Sequence, residues 1–119
     1  MERAKPPDDI APHAFFTRWI PESVARDGVR RERLASTRAV IVFSLLGEEG
    51  GDFTVRISDG RVSGEVGGAE TRDLFVQLDV ATWRSLNRGE ISAPEALLRR
   101  RIKLQGDFLL GLKLHLILA

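Results

Sequence analysis

The chain has 119 residues, 43% of them hydrophobic and 29% charged, with 18 Lys and Arg set against 17 Asp and Glu for a formal net charge of +1. That length can bury a core without covalent staples, and so even a balance gives no basis for nucleic-acid binding, which normally takes a strong basic excess. The absence of cysteine excludes disulfides, thiol nucleophiles and thiolate metal sites, and it fits a reducing compartment.

Residues 1–10 read as a disordered lead-in, because Pro6, Pro7 and the charges around them cannot bury enough surface to offset ordering. They hold no hydrophobic core of a signal peptide, and no apolar run in the chain is long enough to span a bilayer, so the expected location is the cytoplasm. Residues 11–119 are expected to form a single domain. From Pro12 the pattern turns helical: Phe16, Ile20 and Val24 lie four apart, with Phe15 and Trp19 making a second four-residue step. Pro21 lacks a backbone donor and predicts a break or kink, giving two short pieces that end near Asp27-Gly28. Phe15, Phe16 and Trp19 suit either an aromatic lip on a pocket or an anchor to the core, and the usual burial of aromatic rings favours the anchor. The arginines of Val29-Arg30-Arg31-Glu32-Arg33 could touch an anionic lipid surface in transient membrane contact, or form a solvated face.

Four strands follow. In residues 39–46, Ile41, Phe43 and Leu45 share one face, while Val40, Val42 and Leu46 make the other apolar, as in a strand covered on both sides. In residues 52–58, Phe53, Val55 and Ile57 point in and Thr54, Arg56 and Ser58 out. Asp59-Gly60 is a two-residue hairpin signal leading to a strand with Val62 and Val66 inward. After Gly67-Gly68, the row Leu74, Val76 and Leu78 completes what reads as an antiparallel meander. Its broad apolar face needs helices over it. Asp79 predicts the cap of a helix carrying Val80, Trp83 and Leu86 on one stripe and ending at Gly89.

Ser92 with Glu95 three residues on is a capping-box pattern, and Pro94 sits harmlessly in the first turn. Residues 102–105 alternate as a fifth strand, and Gly106-Asp107 supplies a turn and an N-cap. In the terminal segment, Leu110, Leu112, Leu114, Leu116 and Leu118 lie two apart, as in a half-buried strand; read as a helix, the segment is apolar nearly all round. Pattern alone leaves both readings open.

Asn87-Arg88-Gly89-Glu90-Ile91-Ser92-Ala93-Pro94-Glu95-Ala96-Leu97-Leu98, then Arg101-Ile102-Lys103-Leu104-Gln105-Gly106-Asp107 and a Leu- and Lys-rich end, resembles the close of the sterol carrier protein type two domain. The resemblance covers roughly residues 10–118, and its most specific piece is the Leu104-Gln105-Gly106-Asp107 corner. It implies an α+β fold, a five-stranded mostly antiparallel sheet with one face covered by about four to five helices, and it makes the terminal segment a helix. The chain departs from the pattern at Arg100 and Arg101, where the family usually has Gly. It also ends Ile117-Leu118-Ala119 rather than in the Ser-Lys-Leu type of peroxisomal address that many eukaryotic members carry.

Catalytic patterns are sparse. His13 and His115 lie near opposite ends of the chain, no His-x-x-x-His or Asp-x-Asp spacing offers a metal ligand set, and no Gly-x-Ser-x-Gly elbow occurs. The glycines around Glu48 and Glu49 precede a strand rather than the helix that a phosphate-cradling loop requires. The expectation is therefore a non-enzymatic binder without a cofactor. The resemblance implies an apolar tunnel for a sterol, fatty acid, acyl-coenzyme A or isoprenoid-type lipid, between the sheet and the C-terminal helices. Candidate lining residues are Phe43, Val76, Trp83, Leu86, Leu98, Ile102, Leu104, Phe108, Leu109, Leu112 and Leu116, with Val55, Leu74, Ile91 and Leu97 beside them. Arg99, Arg100 and Arg101 suit an anionic head group at its mouth, or a solvated helix end against the C-terminal dipole. The rival function is an accessory module whose apolar terminal helix binds a second copy or a protein partner, as in bacterial proteins similar to this one that assist isoprenoid-quinone synthesis.

Overall fold

In a computed structural model, which describes residues 5–114, the chain forms a five-stranded sheet with helices over one face. The first helical stretch comprises α1 (Pro12–Ala14), a π-helical turn (Phe15–Trp19) and α2 (Ile20–Arg26) without interruption. Pro21 does not break it. The backbone shifts register just before the proline, so that Ile20 N–H donates to Phe15 O five residues back and the ring enters the first turn of α2. The wider turn also sends two adjacent rings, Phe15 and Phe16, into the core together, 5.0 Å apart and edge-to-face.

Asp27 ends α2 and caps α3 (Gly28–Leu34), accepting the Arg30 N–H at 3.2 Å. Residues 29–33 are therefore a helix, not a uniformly solvated arginine cluster: Arg30 is buried and its Nη1 donates to Ser23 Oγ at 2.8 Å, while Arg31 and Arg33 stay exposed. Of the lead-in, residues 5–10 are described. Pro6 is buried, Ile10 packs against the core, and Arg84 Nη1 donates to the carbonyls of Asp8 (3.1 Å) and Ile10 (3.2 Å).

The strands are β1 (Ala39–Leu46), β2 (Gly51–Ser58), β3 (Arg61–Val66), β4 (Leu74–Asp79) and β5 (Lys103–Gly106), in spatial order β3-β2-β1-β4-β5. Asp59 and Gly60 both take positive φ, 54° and 76°, as a type I′ hairpin requires, and they set Ser58 opposite Arg61. The four strands are not a simple meander. After β3 the chain crosses the back of β2 and β1 and adds β4 parallel to β1, Ile41 opposite Leu74; the other three pairings are antiparallel. Val66 lies in the row of Phe43 and Leu74 in the row of Ile41, two residues back and three strands across. Residues 67–73 bridge that diagonal of roughly 16 Å well within their reach.

The crossover explains the double-sided burial of β1. Val42 and Thr54, which point away from the helices, are covered by it, and Thr54 Oγ1 donates to Gly67 O at 2.7 Å. Asp73 then clamps three strand ends: its Oδ2 accepts the Val40 N–H (2.7 Å), its own N–H donates to Val40 O (2.8 Å), and its carbonyl accepts the Asp107 N–H (2.8 Å). Leu46, at the end of β1 on the back face, lies beyond this cover and is exposed; Val66 shares the front-face row of Phe53 and Phe43, as its inward reading has it, but at the end of β3 no helix covers it and it too is exposed.

On the front face, Ile41, Phe43, Val55, Leu74 and Val76 are fully buried beneath the helices. The first helical stretch lies so close to β3 that a side chain at Gly64 would collide with the Phe16 carbonyl. Asp79 caps α4 (Val80–Asn87), Ser92 caps α5 (Ala93–Leu98), and Asp107 caps α6 (Phe108–Gly111) by accepting the N–H groups of Leu109 (3.0 Å) and Leu110 (3.1 Å). The capping box is half formed, because Glu95 pairs with Arg99 at 2.9 Å. The terminal segment is helical through Gly111, and Leu116 and His115 lie outside the described residues. Arg100 adopts φ +59°, the left-handed conformation that glycine takes at no cost, so the turn from α5 to β5 keeps a glycine-type backbone with an arginine on it.

Candidate functional site

Between the sheet and α4, α5 and α6 lies a cavity of ≈ 210 Å³. By volume it holds on the order of fifteen water molecules, far more than a packing defect. Its floor is Phe43 of β1 with Val76 and Leu78 of β4; Ile102 and Leu104 wall the β5 side. Trp83, Leu86 and Asn87 of α4 form the roof with Ala93, Pro94 and Leu97 of α5, and Gly111, Leu112 and Leu114 close the α6 side. Among the described residues Asn87 is the single side chain with a polar head group in that wall, leaving a surface on which water makes few hydrogen bonds and an apolar guest loses none.

The inner end is stopped by aromatic rings. Phe16 lines the cavity, stacks on Phe53 and meets Phe43 at a tilt, each 4.9 Å away, while Trp83 meets Phe15 edge-to-face at 5.2 Å. This cluster takes up space that would otherwise belong to the cavity, which is smaller than the 300–1,000 Å³ common for small-molecule sites. Trp83 is 1% exposed, and its indole N–H meets no hydrogen-bond acceptor among the described residues. A buried donor in that condition costs about 1–3 kcal/mol until an acceptor reaches it.

The roof is fixed by a short polar chain at its outer edge. Asp79 Oδ1 accepts the Thr82 N–H at 2.7 Å, and the buried Thr82 hydroxyl accepts from Arg101 Nε at 3.1 Å. The Thr82 hydroxyl foremost, then its backbone N–H and the nearby Arg101 charge, hold the Asp79 carboxyl below the ordinary carboxylate range against a small opposing effect of burial. This chain ties the start of α4 to the residue entering β5, two of the walls.

Of the residues read from sequence as candidates, Phe43, Val76, Trp83, Leu86, Ile102, Leu104 and Leu112 come together around the cavity. Leu98, Phe108 and Leu109 do not: they point to solvent at 85%, 64% and 76% exposure, because α5 and α6 turn only one stripe inward and these three lie off it. Arg99, Arg100 and Arg101 are not in the lining either; Arg99 pairs with Glu95 and Arg101 with Thr82. The sequence reading missed Leu78, Asn87, Ala93, Pro94, Gly111 and Leu114 as wall residues, and Phe16, for which the core anchor was favoured over a pocket lip, serves as both. Gly111 carried a usable signal, since glycine inside a helical run often marks a close approach, here to Leu104 Cδ1.

A second depression of ≈ 270 Å³, between His13, Glu49, Asp52 and Val66, is shallow and has charged walls. Among the described residues no group of three His, Asp or Glu side chains could hold a metal ion, and no helix is long and apolar enough to cross a membrane.

Against known proteins, the profile of the SCP-2 sterol transfer family matches residues 20–119. The chain belongs to that family. Solved structures agree on the fold. Sterol carrier protein 2 from Yarrowia lipolytica in its apo form superposes with a TM-score of 0.65 at 17% identity, over 88% of this chain and 95% of that one. The UbiJ-SCP2 ubiquinone synthesis protein gives 0.67 at 16%, over 86% and 88%. The inverting sec-alkylsulfatase Pisa1 from Pseudomonas sp. gives 0.68 at 19%, over 92% of this chain but 17% of the sulfatase, so the SCP-2 fold recurs there as a small part of a larger enzyme. No curated protein sequence matches the chain significantly. The SCP-2 fold accounts for the mixed sheet, and the chain's own residues set the size of the cavity within it.

Proposed function

We propose that the protein binds, without chemical transformation, one slender lipid-like molecule in the cavity under α4 and α5. The observation that carries this reading is a ≈ 210 Å³ space whose wall, among the described residues, is apolar apart from Asn87, in a chain of the SCP-2 sterol transfer family. Burying an aliphatic chain there is favourable by about 25 cal/mol per Å² of apolar surface before ordering costs. The volume suits a fatty acyl or isoprenoid chain better than a rigid fused-ring sterol, which needs the walls to part. An oxygen on the guest that accepts from the Trp83 indole N–H would relieve the one buried polar side-chain atom left unpaired among the described residues.

The test is fluorescence of a Trp19→Phe variant, which leaves Trp83 as the one tryptophan, titrated with palmitate, an acyl-coenzyme A, an isoprenoid alcohol and a sterol. Saturable quenching or a shift in emission by a chain ligand is expected, with a raised melting temperature. No response to any of the four sinks the proposal.

A second reading is an accessory module that binds a partner protein or a second copy. The structural likeness to the UbiJ-SCP2 ubiquinone synthesis protein and to part of a sec-alkylsulfatase favours keeping it. It predicts a concentration-dependent dimer or complex that is lost on deleting residues 108–119.

A further inference from the structure

The distribution of charge and exposed apolar surface points to a function for the rim of the cavity. We infer that the end of α5, the 99–102 turn and α6 together dock on an anionic lipid surface. Residues 96–119 hold five Lys and Arg against one acid, whereas the other 95 residues hold thirteen against sixteen. The near-neutral total therefore conceals a segregated cationic segment. Its single acid, Asp107, is engaged in capping α6, and Arg100 is exposed and makes no ion pair among the described residues, while Lys103, opposite Gln77, points to the other face of the sheet from Leu104. Even with Glu95, which pairs with Arg99, and Asp79, which lies near Arg101, counted, the balance stays positive at five against three.

The same segment carries most of the exposed apolar surface. Of eight large hydrophobic side chains exposed among the described residues, five are Leu97, Leu98, Phe108, Leu109 and Leu112. Cations beside protruding leucine and phenylalanine side chains are the make-up of a membrane-surface anchor: the apolar groups enter the headgroup and acyl boundary while the cations meet lipid phosphates. A second copy of the chain fits less well, because a symmetric contact through this patch would set one cationic segment against another. Leu97 and Leu112 also line the cavity, so docking would turn its mouth toward the bilayer. The inference does not rest on the cavity being loaded, since vesicle binding is measured without a guest.

The experiment is co-sedimentation of the full chain with vesicles of phosphatidylcholine alone and of phosphatidylcholine with 30% phosphatidylglycerol, at low and high salt. Binding to the anionic vesicles at low salt, and its loss at high salt, is expected. An Arg99→Gln, Arg100→Gln pair should weaken it roughly 10- to 30-fold, at about fivefold per cation. A Leu98→Ser, Leu109→Ser pair should weaken it at least about tenfold, and Leu46→Ser, Val66→Ser on other exposed surface should leave it unchanged. All of these side chains are exposed, so melting curves should report intact folds. The inference is overturned if anionic vesicles are not bound, if both rim pairs bind like the parent, or if the leucine pair instead dissolves a dimer that ignores vesicles. Palmitate quenching of Trp83, measured on the same variants without vesicles, keeps the two proposals apart: quenching retained with vesicle binding absent sinks this one alone.

Discussion

Replacing Gly111 by leucine should block the cavity while stabilising the fold, two effects that simple damage cannot produce together. Gly111 lies in α6 against the cavity, and a Cβ placed there would meet Leu104 Cδ1 at 3.2 Å, the movable end of a half-buried side chain. Leaving glycine gains about 0.5 kcal/mol at the last helical residue. Two or three of the added carbons entering the void contribute about 0.8 kcal/mol each, and displacing Leu104 from its rotamer costs about 1 kcal/mol. The net is a gain of about 1–2 kcal/mol, or a melting temperature higher by about 4–8 °C for a chain of this length. A guest that must give up two to four buried methylenes loses about 1.6–3.2 kcal/mol, so palmitate should bind roughly 15- to 200-fold more weakly. Thermal unfolding and the Trp83 titration read the two quantities on one sample. A variant that melts lower, or binds as tightly as the parent, would refute the reasoning, because the added carbons would then not be in the cavity.

Gly106→Ala should cost roughly 3 kcal/mol, since φ is +116° there and a Cβ would collide with the Asp73 carbonyl where β4 and β5 meet; denaturant unfolding measures it, and a cost under about 1 kcal/mol would mean the corner yields. Arg100→Gly should raise stability by about 0.5–1 kcal/mol by removing a left-handed arginine at φ +59°, and a lower melting temperature would show that the Arg100 side chain has a structural role. Asp79→Ala should lose about 1 kcal/mol of cap energy at neutral pH. The Asp79 carboxyl is lowered in the fold, so its contribution is present above the unfolded value of about 3.9 and disappears as pH falls through the folded one. The gap between parent and variant should therefore close in acid unfolding below about pH 4, and a gap that holds steady would assign the loss to something other than the charged cap.

How far each feature was legible depended on the range of the force behind it. Asp59-Gly60, Asp79, Ser92 and Asp107 act on N–H groups two or three residues away, and each turn or cap stands where the pattern puts it. Inward rows such as Phe53, Val55 and Ile57 were equally readable, because strand alternation needs only one buried face. The partner of β4 was not readable. Nothing local in residues 67–78 tells the chain to pass β2 and β1 before pairing, and the clamp that sets the choice joins Asp73 to Val40. The same holds for Arg30, whose burial depends on Ser23 across a helix junction. Leu98, Phe108 and Leu109 were assigned to the wall by position from the family resemblance, yet the short α5 and α6 can face only one stripe inward.

By itself, then, the sequence determined the strands, most of the helices and their caps, the apolar surplus of the last third and, through its ordered motifs, the family. Those follow from hydrogen bonds and periodicities closed within a few residues. Tertiary structure alone decided the parallel seam between β1 and β4, the aromatic stop at Phe16 that limits the cavity, and which leucines face the cavity and which face solvent. Each of these depends on side chains brought together from distant parts of the chain, and the free energy of such a contact exists only once both partners are in place.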